Sequence, residues 1–320
     1  MTKSFLKIGL VGALLLCLAP FASADGRKPG SLLIYPCFDS DGAAGTVVSV
    51  TNVDQFVTVV AHFIYIDGED WREFNRFETL TPRDNFTIRA STHVPGAKKG
   101  FLYVVALDES RVAGSLNVLI GDEIVADSGG NFLYAFDAIA FLGFPGINGD
   151  SRVQLDGGEY ENVSDKMYIS SFLGQYDGRG NQPEVLPMKS TLILVALVGS
   201  SDYETRLRFA AYNNNEQEFS TAHNFRCWDA VCLEDIDGLF RHDFLITTSY
   251  DDRDTGLPVT TGWAEIDGRE AVDVVGNEPK IIDPPFVGAI AQTLLSGYFS
   301  AGHLLHESQE PNPTDGVLDN

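Results

Sequence analysis

Between Ser31 and Asp108 the chain strings together "SLLIYPCF", "TVVSVTN", "VTVVAHFIYI", "NFTIRA" and "GFLYVVALD", each cut off by a cluster of Gly, Pro, Asp or Asn. Short runs of β-branched and aromatic residues, bounded by turn formers at regular spacing, point to strands joined by hairpins. The expectation is an all-β chain built as a sandwich.

A second regularity concerns organisation. "TVVSVTNVDQFVTVVAHF", from Thr46, and "LRFAAYNNNEQEFSTAHN", from Leu207, each hold an alternating strand ending on Asn, a polar break and a second strand carrying Ala-His. Asn52 and Asn213, and His62 and His223, are both 161 positions apart. "DNFTIRAS" from Asp84 resembles "HDFLITTS" from His242, Gly100-Phe101 resembles Gly262-Trp263, and "VAGSLNVL" from Val112 resembles "FVGAIAQT" from Phe286. The expectation is two tandem immunoglobulin-like β-sandwich domains from a degenerate duplication. Residues 25–145 form the first, 146–189 a linker or added edge strand, 190–305 the second and 306–320 a disordered tail. The paired Asn residues need no chemistry, because Asn at a strand end satisfies its own turn. The paired histidines read as half-buried or exposed strand residues.

The first residues, "MTKSFLKIGLVGALLLCLAPFASA", place Lys3 and Lys7 ahead of an apolar run and end in Ala22-Ser23-Ala24. That is the pattern of a secretory signal peptide over 1–24, with cleavage before Asp25. The run is short for a membrane span, and Leu16 ahead of Cys17 argues against lipidation. The mature chain is therefore expected to be secreted, to the periplasm or beyond, with no integral membrane segment. Its formal charge is −23, or −25 once the two leader lysines are gone. A surface that acidic repels phosphate backbones, which excludes nucleic acid as a partner; for the rest, such a charge speaks first for solubility.

In an oxidising compartment Cys227 and Cys232, in "CWDAVC", are expected to close a small disulfide loop. Cys37 is left over and expected to be buried as a small hydrophobe.

"GSLLIYPCFD", "VSVTN", "FNRFETLTPRDNFTI", "GFLYVVALD" and "NVLIGDEIV" together resemble a group of secreted bacterial proteins with β-rich domains. The resemblance covers most of the first half and is a weak pattern in the second. It implies export and a β architecture, and brings no catalytic residue with it.

The chemistry-bearing motifs are few. No Gly-x-Ser-x-Gly elbow occurs, and no phosphate-binding Gly-x4-Gly-Lys-[Ser/Thr] loop. "HLLHE" from His303 has the wrong spacing for a zinc helix, with two residues between the histidines and the Glu outside them. Two acidic runs carry the one ion considered: Asp39 and Asp41 in "DSDG", and Asp251, Asp252 and Asp254 in "DDRDTG", are calcium candidates. Solvated turns explain both runs, so no cofactor is expected. "NFLYAFDAIAFLGF" is the most aromatic run in the chain and reads as buried.

Three functions remain open. The first is a non-enzymatic structural or adhesive interaction protein with a protein or surface-polymer partner. The second is a carbohydrate or small-ligand binding module using loops or the aromatic run from Phe132 to Phe144. The third is a hydrolase whose acids are scattered in sequence.

Overall fold

The computed structural model describes residues 28–40, 44–127, 132–145, 153–155, 158–161, 163–173, 188–197, 202–213, 215–248, 261–294, 299–303 and 305–306. The leader reading, Asp41, the run from Asp251 to Asp254 and the tail beyond 306 lie outside these residues.

Antiparallel strands dominate. The first half runs β1 (Leu32–Asp39), β2 (Ala44–Asn52), β3 (Val59–Asp67), β4 (Glu73–Leu80), β5 (Asn85–Arg89), β6 (Lys99–Leu107), β7 (Leu119–Asp127), β8 (Phe132–Asp137) and β9 (Ile139–Phe141). They form two sheets, one ordered β4-β3-β6-β1-β9 and the other β5-β2-β7-β8. Alternate residues meet between them: Leu33, Tyr35, Phe63, Tyr65, Leu102 and Val104 from the larger sheet pack on Val48 and Val50 from the smaller. The sandwich expected from the pattern is present, with a strand order of its own. In an immunoglobulin sheet the sixth strand lies between the third and the seventh; here β6 lies between β3 and β1, and the seventh strand pairs with β2.

A connector of β10 (Gly143–Phe144), β11 (Val153–Leu155) and β12 (Gly158–Tyr160) leads to the second half. There β13 (Lys166–Leu173), β14 (Met188–Ala196), β15 (Tyr203–Asn213), β16 (Glu218–Phe225), β17 (Trp228–Cys232), β18 (Thr261–Asp273), β19 (Pro279–Ile282), β20 (Phe286–Leu294), β21 (Phe299–His303) and β22 (Leu305–His306) follow. Their sheets are ordered β16-β15-β18-β13-β22, with β19 on β18, and β17-β14-β20-β21. Apart from β19 this is the first half's order strand for strand.

The match extends to register. Leu33 faces Val104 and Phe38 faces Gly100 across a bulge; Met167 faces Ile266 and Phe172 faces Gly262 across a bulge in the same place. Gly100 and Gly262 explain why glycine recurs there. A Cβ on Gly100 would collide with the carbonyl oxygen of Ile66, and one on Gly262 with that of Tyr212, the residues at equivalent places on the neighbouring strands. Gly100 also holds a positive φ of 159°.

The register corrects most of the residue pairs read from the sequence. Gly100 with Gly262 stands. Asn52 ends β2, whereas Asn213 ends β15, the strand that takes the place of β3; Asn213 faces Gly262 as Asp67 faces Gly100. Counterparts are Phe63 with Phe209 and His62 with Arg208. The match at 161 positions compared neighbouring hairpins, because a strand ending on Asn before a polar turn is a motif any hairpin of a sandwich can repeat. Phe86 lies in strand β5, but its expected partner Phe244 lies in the helix His242–Thr248. Phe286 opens β20, the counterpart of β7, which opens at Leu119 and not Val112. A further correction concerns the expected linker: Lys166–Leu173 is an interior strand of the second half, between β18 and β22.

The halves stack in one direction. The outer face of the first larger sheet, through β1 and β6, lies against β14, β20 and β17 of the second smaller sheet. Ile34, Ile64, Phe101, Tyr103 and Val105 thereby join one apolar cluster with Val195 and the second core. A smaller cluster brings Cys37, Val125 and Phe136 onto Ile193, Ala289 and Ala291. Trp228 seals the seam: its Nε1 donates to the Pro36 carbonyl at 2.8 Å, and its ring lies 2.5 Å from where a Cβ on Gly68 would be. Because β1 and β6 are covered on both faces, their sequences "LLIYPCF" and "FLYVVAL" are continuously apolar instead of alternating.

Candidate functional site

One face of the repeated frame has two fates. In the first half the outer face of the larger sheet is Ile34, Ile64, Ile66, Phe101, Tyr103 and Val105, and the second half covers it. At the same register positions in the second half stand Tyr168, Ala210, Tyr212, Trp263, Glu265 and Asp267. Here Trp263 is 40% exposed and Tyr168, Ala210, Tyr212, Glu265 and Asp267 are half-buried, where the first half's Ile34, Ile64, Phe101, Tyr103 and Val105 are buried.

Trp263 and Tyr212 are directly paired across β18 and β15, and their rings stack at 4.2 Å between centroids with 9° between planes. Tyr212 hydrogen-bonds Glu218 on β16, and the carboxylates of Glu218 and Glu265, with burial as the leading cause, hold its phenol above the ordinary range. The other face of the indole turns toward β13, where the strand bulges and the residues across from it are Ser170 and Ser171, both small and exposed. The outcome is a stacked, part-exposed aromatic pair beside two small exposed residues.

Arg206 and Arg269 on this face are paired. Arg206 pairs with Glu270 at 2.8 Å and lies 3.6 Å from Glu204, and Arg269 pairs with Asp267 at 3.0 Å. Lys166 and Arg208 both stand opposite Asp267, Glu265 stands opposite Ala210 and Glu218 opposite Tyr212. Asp165 and Asp283 act on the same end beside Asp267, so acids outnumber bases here as they do in the whole chain at −23.

Beside β16 lies an open depression of about 640 Å³, lined by Phe219, Ser220, Leu239, Arg241 and Phe244 among others. It is built by an insertion: Cys232 to Thr261 spans 29 positions, where the first half links Arg89 to Lys99 in 10. Asp237 is committed inside it, accepting from Leu239 N at 2.9 Å and Thr221 Oγ1 at 3.0 Å.

The first half holds a buried polar cluster that the sequence did not announce. Cys37 Sγ donates to Glu123 Oε1 at 3.2 Å and lies 3.6 Å from Tyr134 Oη, while Glu123 Oε2 has no hydrogen-bond partner among the described residues. Burial pushes the Glu123 carboxyl up to about 8 and holds the Cys37 thiol well above its usual range. The counterpart of Glu123 is Ile290, so the second half has no such acid at this position. Nearby, His93 Nδ1 pairs with Tyr65 Oη at 3.1 Å, and burial holds that imidazole below its ordinary range.

The expected site residues fall as follows. Asp39 ends β1, and its backbone N–H donates to Thr46 Oγ1 at 2.8 Å; Asp41, Asp251, Asp252 and Asp254 are outside the described residues. Among the described residues no group of three or more His, Cys, Asp or Glu is arranged to hold a metal. The expected disulfide is corrected: Cys227 precedes and Cys232 ends the extended β17, and both thiols are free. Five residues at roughly 3.3 Å each separate them by about 16 Å, far beyond the ~7 Å between Cα atoms that a disulfide spans. Cys37 is buried, as expected. In the aromatic run Phe136 and Phe141 are buried too. Asn52 and Asn213 both clamp loops, Asn52 through Val57 and Thr81 and Asn213 through Thr248 and Gln217.

No family model matches the chain, and no curated protein does. Solved structures it matches include a β-glucuronidase of Bacteroides uniformis, at 6% identity, and a calcium binding mutant of β-glucuronidase 2 from the same organism, at 5%. Both have a TM-score of 0.16 and cover 85% of this chain, which spans 25% of theirs. At that TM-score the likeness carries no argument.

Proposed function

We propose that this is a secreted, non-enzymatic interaction protein of structural or adhesive role, in which one ancestral sandwich unit is used twice and the second copy displays the recognition face. The observation that carries the reading is the contrast at equivalent positions. A face that is apolar and covered in the first unit keeps one aromatic position in the second, Phe101 as Trp263, gains Tyr212 beside it in place of Ile66, and becomes charged where Tyr103 and Val105 stood. Exposed paired aromatics within a polar, hydrogen-bonding surround are what a recognition surface needs, since rings give contact area at small entropic cost and the rim gives specificity. Export rests on the leader pattern of residues 1–24.

The test is adhesion. Beads coated with the mature chain are washed under flow over immobilised polysaccharide and protein films, beside beads coated with a Tyr212→Ser, Trp263→Ser double variant of unchanged melting temperature. Retention that the double variant loses supports the reading. Equal retention of both, or release of soluble sugars or peptides from a film by the purified chain, overturns it.

A further inference from the structure

We propose that the slot between Trp263 and the β13 bulge binds the ring of an uncharged polysaccharide, a reading that rests on the displayed face being the recognition surface.

Three observations converge on this ligand class. The indole has one face taken by Tyr212 at 4.2 Å and the other turned to Ser170 and Ser171, which leaves space above small side chains. A flat ring with an apolar C–H side fits against such a wall through dispersion and water release. Hydroxyls at the rim of that ring find Glu265 and the two serines, which offer acceptors and donors at the same level of the sheet.

Charge then selects among polymers. The chain carries −23, so an anionic polysaccharide is repelled at long range. On the face itself Arg206 and Arg269 are held by Glu270 and Asp267, and Lys166 and Arg208 both stand opposite Asp267, so a carboxylate or sulfate polymer would compete with acids already in place. A basic peptide would meet those same arginines, whose partners Glu270 and Asp267 are already engaged. A neutral glycan meets neither obstacle. A second copy of the chain is disfavoured by the substitutions themselves: where the first half docks through Tyr103 and Val105, this face presents Glu265 and the Arg269–Asp267 pair, and taking such charges out of water costs several kcal/mol.

The experiment is affinity electrophoresis of the mature chain through gels containing β-glucan, xyloglucan, galactomannan or dextran, with alginate, polygalacturonate and gelatin as charged and protein probes. Retardation by at least one neutral glycan is expected. Trp263→Ala should weaken it about tenfold or more, the worth of roughly 1.4 kcal/mol, and Trp263→Phe should fall between. Ser170→Arg, at an exposed site, fills the slot without touching the core and should weaken binding as strongly, which guards against misfolding of the tryptophan variants. Retardation only by charged polymer or gelatin, lost in the same variants, overturns the glycan ligand while leaving the face as the recognition surface. Retardation by neutral glycan that ignores Trp263 and Ser170 overturns this slot. No retardation by any probe overturns both readings, as does a dimer that Trp263→Ala dissociates.

Discussion

Phe101 and Trp263 occupy the same position on the same strand of the same frame, yet one is sealed under a second sandwich and the other stands in solvent. Their glycine neighbours, bulges and hydrogen-bonding registers are alike, so the backbone did not decide the difference. The flanking side chains did. Ile64, Tyr103 and Val105 make the first face self-sealing, whereas Ala210, Glu265 and Asp267 keep the second one open. End units of stacked architectures need such a polar outer face, because a unidirectional stack without one would continue into a filament. In this chain the terminal face keeps the Phe101 position as Trp263 and sets Tyr212 beside it where the first half has Ile66, and that combination is what the proposed recognition role rests on.

The comparison breaks most violently when the residues are exchanged. Writing the second half's residues into the first, as Tyr103→Glu with Val105→Asp, buries two unpaired carboxylates at the seam and should cost on the order of 4 kcal/mol or more, read as loss of the cooperative denaturation transition. The reverse exchange, Glu265→Tyr with Asp267→Val, should leave stability within about 1 kcal/mol while sedimentation shows self-association. If the two exchanges shift the denaturation midpoint equally, the faces do not differ as described.

The glycines test the shared frame. Gly100→Ala and Gly262→Ala each push a Cβ into a neighbouring carbonyl oxygen, so both should destabilise, by about 2–3 kcal/mol in chemical denaturation. Similar values are expected although one glycine lies at the seam and the other beneath the open face; a tolerated alanine at either position would show that the frames are not equivalent.

Glu123 is where the halves part company in the core. Its folded carboxyl is pushed up to about 8 by burial, from an ordinary value of 4.5, so the folded chain holds that proton more tightly than the unfolded one. The contribution is therefore whole below the ordinary carboxylate range and is lost as pH rises toward about 8, at about 1.4 kcal/mol per unit of displacement. Thermal melts from pH 5 to pH 9 should show a falling Tm that Glu123→Gln flattens. A parallel fall in the variant would assign the effect to other groups. The smallest effect expected is that of reductant: with Cys227 and Cys232 free, dithiothreitol should move Tm by less than about 1 °C, because no covalent loop constrains the unfolded chain.

Much of this architecture was readable from alternation and turn residues alone. "TVVSVTN" and "NFTIRA" became β2 and β5, and Gly100 with Gly262 held their place because a close approach of backbones admits nothing larger. The register of the repeat was not readable, since hairpins share their punctuation and a pair of adjacent ones imitates a true counterpart. The disulfide failed for a related reason: a spacing of five closes a loop only if the chain turns, and "WDAV" is extended. Glu123 hid on an otherwise ordinary strand, because its burial depends on Cys37 and Tyr134, which other strands of the same half bring to it. Trp263 did leave a sign. In "TGWAEIDG" it sits in phase with Glu265 and Asp267, on the polar side of the alternation, where a tryptophan has no core to fill.

Oxidative footprinting of the intact mature chain tests the unequal faces most directly. Brief hydroxyl-radical exposure followed by peptide mass spectrometry should modify Trp263 and Tyr212 heavily and leave Phe101 and Tyr103 nearly untouched, with protection of Trp263 appearing on addition of a neutral glycan that retards the chain. Equal modification of Phe101 and Trp263 would contradict the stacked arrangement, and a Trp263 protected in the chain alone would contradict its display.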